Sequence, residues 1–92
     1  MAETKTTAAR VAAQAQEHIG ALTAKHVVGV VSVEPGEHGW LVQVEVIEDR
    51  RVPASSDILA IYEADLDDKG DLMAYRRTRR YVRGRADQGR EA

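Results

Sequence analysis

A two-layer α+β domain is the fold class this sequence predicts: one N-terminal helix packed on a four-stranded antiparallel β-meander. Three observations predict it. Apolar residues recur with a helical period between Thr7 and Thr23, and the period drops to two from Val27 onward. Turn signals at Pro35–Gly39, Val52–Ser56 and Asp67–Gly70 cut the second part into four runs. The connections are short, so successive strands become antiparallel neighbours. A helix with one apolar stripe and a sheet with one apolar face bury each other, which gives two layers. The 92 residues have room for a single domain, and 43% hydrophobic with 30% charged residues is ordinary soluble composition.

The helix rests on Ala8, Val11, Ala12, Ala15, Ile19 and Leu22, which fall on one stripe while Arg10, Gln14 and Glu17 lie elsewhere. Thr6 or Thr7 is placed to cap it, and Gly20 marks a point where it ends or loosens. The first strand run, Val27 to Val33, is nearly all valine. It reads as a strand buried on both faces. The second run alternates, with Trp40, Val42, Val44 and Val46 on one side and Gln43 and Glu45 on the other. Trp40 is in phase with the valines and reads as a core anchor. Pro53 cannot donate to a ladder and belongs to a connection. The third run, Ile58 to Leu66, puts Ile58, Ala60, Tyr62, Ala64 and Leu66 together. Gly70 closes an acidic hairpin turn, and the fourth run is Leu72 to Val82. Residues 7–84 form the domain, with flexible ends expected at 1–6 and 85–92.

Catalytic and metal chemistry find little footing. The chain has no cysteine, which removes disulfides, thiolate zinc sites and cysteine nucleophiles. His18, His26 and His38 do not pair at ligand spacing, and the acidic cluster Asp65, Asp67, Asp68 and Asp71 lacks the late acidic ligand of a calcium loop. Gly29, Gly36, Gly39 and Gly70 are scattered rather than gathered into a phosphate loop, and Ser32, Ser55 and Ser56 have no base beside them. The reading is of a non-enzyme without cofactor or metal. No apolar run approaches the ~18 residues of a membrane span, and residues 1–25 have no signal-peptide core, so a cytoplasmic protein is expected.

Charge is sharply divided along the chain. Residues 27–75 carry three positive and eleven negative charges, while residues 76–92 carry seven arginines and two acids. The stretch from Arg76 to Arg85 holds Arg76, Arg77, Arg79, Arg80, Arg83 and Arg85, interleaved with Tyr81 and preceded by Tyr75. Regular alternation assigns Arg77, Arg79 and Arg83 to one face with Tyr75 and Tyr81, and Arg76 and Arg80 to the other with Thr78. Three uses compete. The arginines pair with acids on neighbouring strands, such as Glu45, Glu48, Glu63 and Asp65. Alternatively they contact nucleic acid, although a pI near 5.9 weighs against a dedicated binder. Or they dock an acidic protein, since arginine and tyrosine are enriched at interface hot spots. Arg50 and Arg51 adjoin as further partner-binding candidates. A homodimer through an exposed sheet edge, or through a patch of Leu41, Ile47, Leu59 and Ile61, is a further reading.

The ordered set of segments also resembles a known family. Gly39-Trp40, Val42 to Glu48, Arg50-Arg51-Val52-Pro53 and Asp57 to Asp67 look like the centre of the gas vesicle protein O family. Gly70, Leu72, Tyr75-Arg76-Arg77 and Arg80-Tyr81-Val82-Arg83-Gly84 continue the likeness, which covers about two thirds of the chain, Leu22 to Gly84. The resemblance implies an accessory protein of gas vesicle formation, acting on other gas vesicle proteins and associated with the vesicles. It implies no catalytic residues. It leaves regulation of vesicle gene expression through nucleic-acid binding as the second reading, because some archaeal members are linked to that role. The N-terminal arm here is shorter than the acidic extension of some relatives.

Overall fold

The computed structural model describes residues 7–85. The end segments expected to be flexible lie outside the described residues, apart from the backbone of Arg85. Helix α1 (Ala8–Thr23) starts at Thr7, whose hydroxyl accepts the Arg10 N–H at 3.2 Å as an N-cap. It runs unbroken through Gly20 and stops where Ala24 turns left-handed and donates its N–H to the Gly20 carbonyl. Four strands follow: β1 (His26–Pro35), β2 (Gly39–Asp49), β3 (Ile58–Asp67) and β4 (Leu72–Val82). They form one antiparallel sheet in the order β1-β2-β3-β4, with β1 and β4 as edges. Short 3-10 turns at Ala54–Ser56 and Arg83–Arg85 complete the elements of the described residues.

The helix lies on one face of this sheet. Its buried residues Val11, Ala15 and Ile19 meet Val42, Val44 and Val46 of β2 and Ala60, Ala64 and Leu66 of β3. Val27, Val30 and Val33 of β1 pack at the margin with Trp40, Tyr62 and Leu72. All the fully buried side chains are apolar, so burial contributes roughly 1.5–3 kcal/mol for each large one. Two glycines permit close approach. Gly70 takes a φ of +93° in the β3–β4 turn, and a Cβ on Gly39 would stand 2.4 Å from the Leu66 carbonyl oxygen. In the same turn the Asp67 carboxylate accepts the N–H groups of Lys69 and Asp71, each at 2.9 Å. Those bonds hold its pKa below the ordinary carboxylate value.

The structure corrects four expectations. β1 is not buried on both faces: it is an edge, with bulges that leave Val28 and Val31 46% and 53% exposed. Those bulges space the inward valines by three, at 27, 30 and 33, a pattern a period-two reading misses. Leu22 is exposed, because the inward stripe of α1 ends at Ile19. Among the described residues, Leu59 and Ile61 form no bare apolar patch on the face of the sheet away from the helix, since they are only 4% and 7% exposed. The fourth correction concerns the phase of β4.

Candidate functional site

β4 pairs with β3 along its whole length, but the register slips twice, between Asp65 and Leu66, where Met73 is the extra residue, and between Ile61 and Tyr62 among the arginines. Arg79 stands opposite Ile61 and Arg77 opposite Tyr62, which leaves Thr78 as an extra residue, its hydroxyl donating to the Ile61 carbonyl at 3.3 Å. One inserted residue reverses the phase of everything beyond it. Regular alternation therefore fails here. Tyr75, Arg77 and Arg80 share the helix-bearing side, opposite Ala64, Tyr62 and Ala60. Arg76, Arg79 and Tyr81 share the other side, opposite Glu63, Ile61 and Leu59.

On the helix-bearing side the two arginines converge on one carboxylate. Glu48, at the end of β2, accepts from Arg77 at 2.9 Å and lies 3.4 Å from the Arg80 guanidinium. Tyr62 and Tyr75 stack at a tilt beside them, with ring centroids 6.1 Å apart. Burial, helped by the Glu48 charge, raises the Tyr62 pKa. The helix leaves this end of β4 open, so Tyr75 and both guanidiniums reach water.

On the opposite side Arg76 pairs with Glu63 directly across from it. The Tyr81 hydroxyl donates to Glu45 of β2, crossing over β3 to do so. The Arg79 guanidinium lies 4.8 Å from the centre of the Tyr81 ring, a cation–π contact. Among the described residues no carboxylate stands within ion-pair distance of Arg79.

A third group forms where β4 ends. Asp57, buried just before β3, accepts the Arg51 N–H at 2.7 Å and the Arg83 guanidinium at 3.2 Å. The Arg83 N–H in turn donates to the Asp57 carbonyl at 2.8 Å. The backbone bond from Arg51 and the Arg83 guanidinium hold the Asp57 carboxyl below its ordinary pKa, against the opposing effect of burial. Sequence reasoning placed no weight on Asp57. Its position between Ser56 and Ile58 is the only signal, a carboxylate poised at the mouth of a strand.

The ten candidate partner-binding residues thus divide. Arg51 and Arg83 come together through Asp57. Tyr75, Arg77 and Arg80 cluster around Glu48, and Arg76, Arg79 and Tyr81 occupy the other side. Arg50 is exposed beside Arg51, while the Arg85 side chain lies outside the described residues. Pairing does not hide the paired guanidiniums of this end, whose side chains stay 40–59% exposed.

Comparison with known proteins gives concordant results. A family model described as gas vesicle synthesis protein GvpO matches residues 1–87. "Gas vesicle protein O" of a Streptomyces species (strain CB03234) is 46% identical over 79 residues, 86% of this chain and 62% of that protein. "Gas vesicle protein O1" of Halobacterium salinarum is 41% identical over 56 residues, 61% of this chain and 47% of that protein. "Gas vesicle protein O" of Haloferax mediterranei is 37% identical over 57 residues, 61% of this chain and 41% of that protein. The chain therefore spans between 41% and 62% of the length of these curated relatives. No solved structure matches it.

Proposed function

The chain belongs to the gas vesicle synthesis protein GvpO family, and from that premise we propose that it is a non-enzymatic accessory protein of gas vesicle formation. It acts by protein–protein contact during assembly, in the cytoplasm and at the vesicle. The contact surface is the arginine end of β4, with Arg51 and Arg50 beside it. One observation carries this reading. β4 is an uncovered edge at whose end Arg76, Arg77, Arg80 and Arg83 are held in fixed positions by carboxylates, and Arg79 by the Tyr81 ring, while the four paired side chains remain about half in water. Such groups are oriented without being consumed, which lowers the ordering cost of an incoming carboxylate partner. No helix among the described residues is long and apolar enough to cross a membrane.

The experiment is capture from cells expressing a full set of vesicle proteins, using the chain and its Arg79→Glu/Arg80→Glu variant as bait. Loss of vesicle proteins from the variant, with its circular dichroism unchanged, supports the reading. Undiminished capture by the folded variant overturns it. Nucleic acid is the second reading of the same surface, weighed against by an overall pI near 5.9, which is not that of a dedicated nucleic-acid binder. Nuclease treatment and a salt titration of DNA and RNA binding separate the two, since phosphate contacts weaken steeply as salt rises.

A further inference from the structure

The two edges of this sheet are guarded very differently. β4 carries Arg76, Arg77, Arg79 and Arg80, and a row of like charges repels a second β4. β1, His26–Pro35, contains no lysine or arginine, and its bulges turn Val28 and Val31 half into water. A valine-rich edge without a charged guard is a template for strand pairing. We propose that β1 pairs antiparallel with β1 of a second copy of this chain, joining the two sheets into one of eight strands.

The occupant is named by a symmetry in the strand. His26 and Glu34, the only ionisable side chains of β1, lie four residues either side of Val30. An antiparallel pair centred on Val30 sets His26 of each copy opposite Glu34 of the other. Opposite residues of such a pair must share a face, and these do: His26 is in register with Ile47 and Glu34 with Leu41, both on the side away from the helix. Val27 and Val33 likewise share the helix-bearing side, in register with Val46 and Val42, and Val30, opposite itself, joins them through Val44. The face order from 26 to 34 thus reads the same from either end, at every position where β1 is in register with β2 on both sides of Val30. A two-fold axis perpendicular to the sheet satisfies it and leaves both helices on one side. The bulges shorten the regular ladder, so the contact rests on the valines and on the two His26–Glu34 pairings at its ends.

Sedimentation or light scattering over a concentration series tests this. The mass of the wild-type chain is expected to rise with concentration from 10.1 kDa toward twice that value. Val28→Lys/Val31→Lys, both at exposed positions, is expected to stay monomeric with an unchanged circular dichroism spectrum. His26→Glu sets like charges opposite each other and weakens association, while His26→Glu/Glu34→Lys restores it. A wild-type chain that stays monomeric throughout overturns the proposal. So does a dimer indifferent to Val28→Lys/Val31→Lys, or a double charge swap that fails to restore what His26→Glu removes.

Discussion

Ile19→Ala measures how much of this domain depends on the helix. Ile19 is fully buried between α1 and the sheet. The substitution removes three buried carbons, a transfer loss of about 2.4 kcal/mol at ~0.8 kcal/mol each. The cavity left among rigid valines brings the total to about 3–4 kcal/mol. A domain of 92 residues is stable by roughly 5–14 kcal/mol, so between about a fifth and four fifths of it is removed. The Tm is expected to fall by more than about 10 °C. Urea denaturation followed by far-ultraviolet circular dichroism and by Trp40 fluorescence reads the change. Leu22→Ala is the control on the same helix. Leu22 is 53% exposed, and its loss is expected to cost under about 1 kcal/mol. Equal costs for the two variants, or less than about 1 kcal/mol for Ile19→Ala, would refute the helix-on-sheet packing.

Three further outcomes follow from the geometry. Gly39→Ala presses a methyl group onto the β3 backbone at Leu66 and Asp67, which cannot swing aside, and is expected to cost about 3 kcal/mol or more in urea denaturation. Asp57 has a depressed pKa, so its contribution is present above the ordinary carboxylate value and fades as pH falls through the folded one. Asp57→Asn is therefore expected to lower Tm at neutral pH, and the gap from wild type should close below about pH 4. A gap that stays constant with pH would contradict the charge assignment. Glu48→Gln takes the shared negative charge from Arg77 and Arg80. Stability should fall by less than about 1 kcal/mol, since both guanidiniums are half in water. Capture of vesicle proteins should weaken, because Arg77 and Arg80 lose the carboxylate that orients them, and undiminished capture by a folded variant would count against that orienting role.

Much of this fold is legible in the sequence because its periodicities are clean. The valines of β2 alternate without interruption. Leu72 and Val82 bound the fourth run where they bound β4, and the turn at Gly70 needs the backbone freedom glycine has. The errors of strand phase share one physical cause. A bulge adds a residue without changing composition, so Val28, Val31 and Thr78 read like any other strand residue. The first two disguise an edge strand as a buried one, and the third reverses Arg79, Arg80 and Tyr81 relative to Tyr75, Arg76 and Arg77 against what counting by twos assigns. Pairing partners were partly readable. The sequence offers Glu48 and Glu63 as neighbours of the arginines but not Asp57, whose role depends on the ends of β2 and β4 meeting at the start of β3. The burial of Leu59 and Ile61 lies beyond sequence reasoning too, since residues far along the chain stand beside them. Tyr81, for instance, is in register with Leu59 and reaches across β3 to Glu45.

The surplus residue at position 78 also sets which changes in length β4 can absorb. Arg77 and Arg79 already face consecutive residues of β3. Excising Thr78 would straighten the strand and leave every arginine on its present side, forfeiting only the hydroxyl bond to Ile61. Excising any neighbour instead would turn part of the strand over like a flipped comb, handing the Glu48 pair to the wrong layer. Tolerance to shortening is thus concentrated at two surplus residues, Thr78 and Met73, the second lying where Ala74 and Leu72 face consecutive residues of β3.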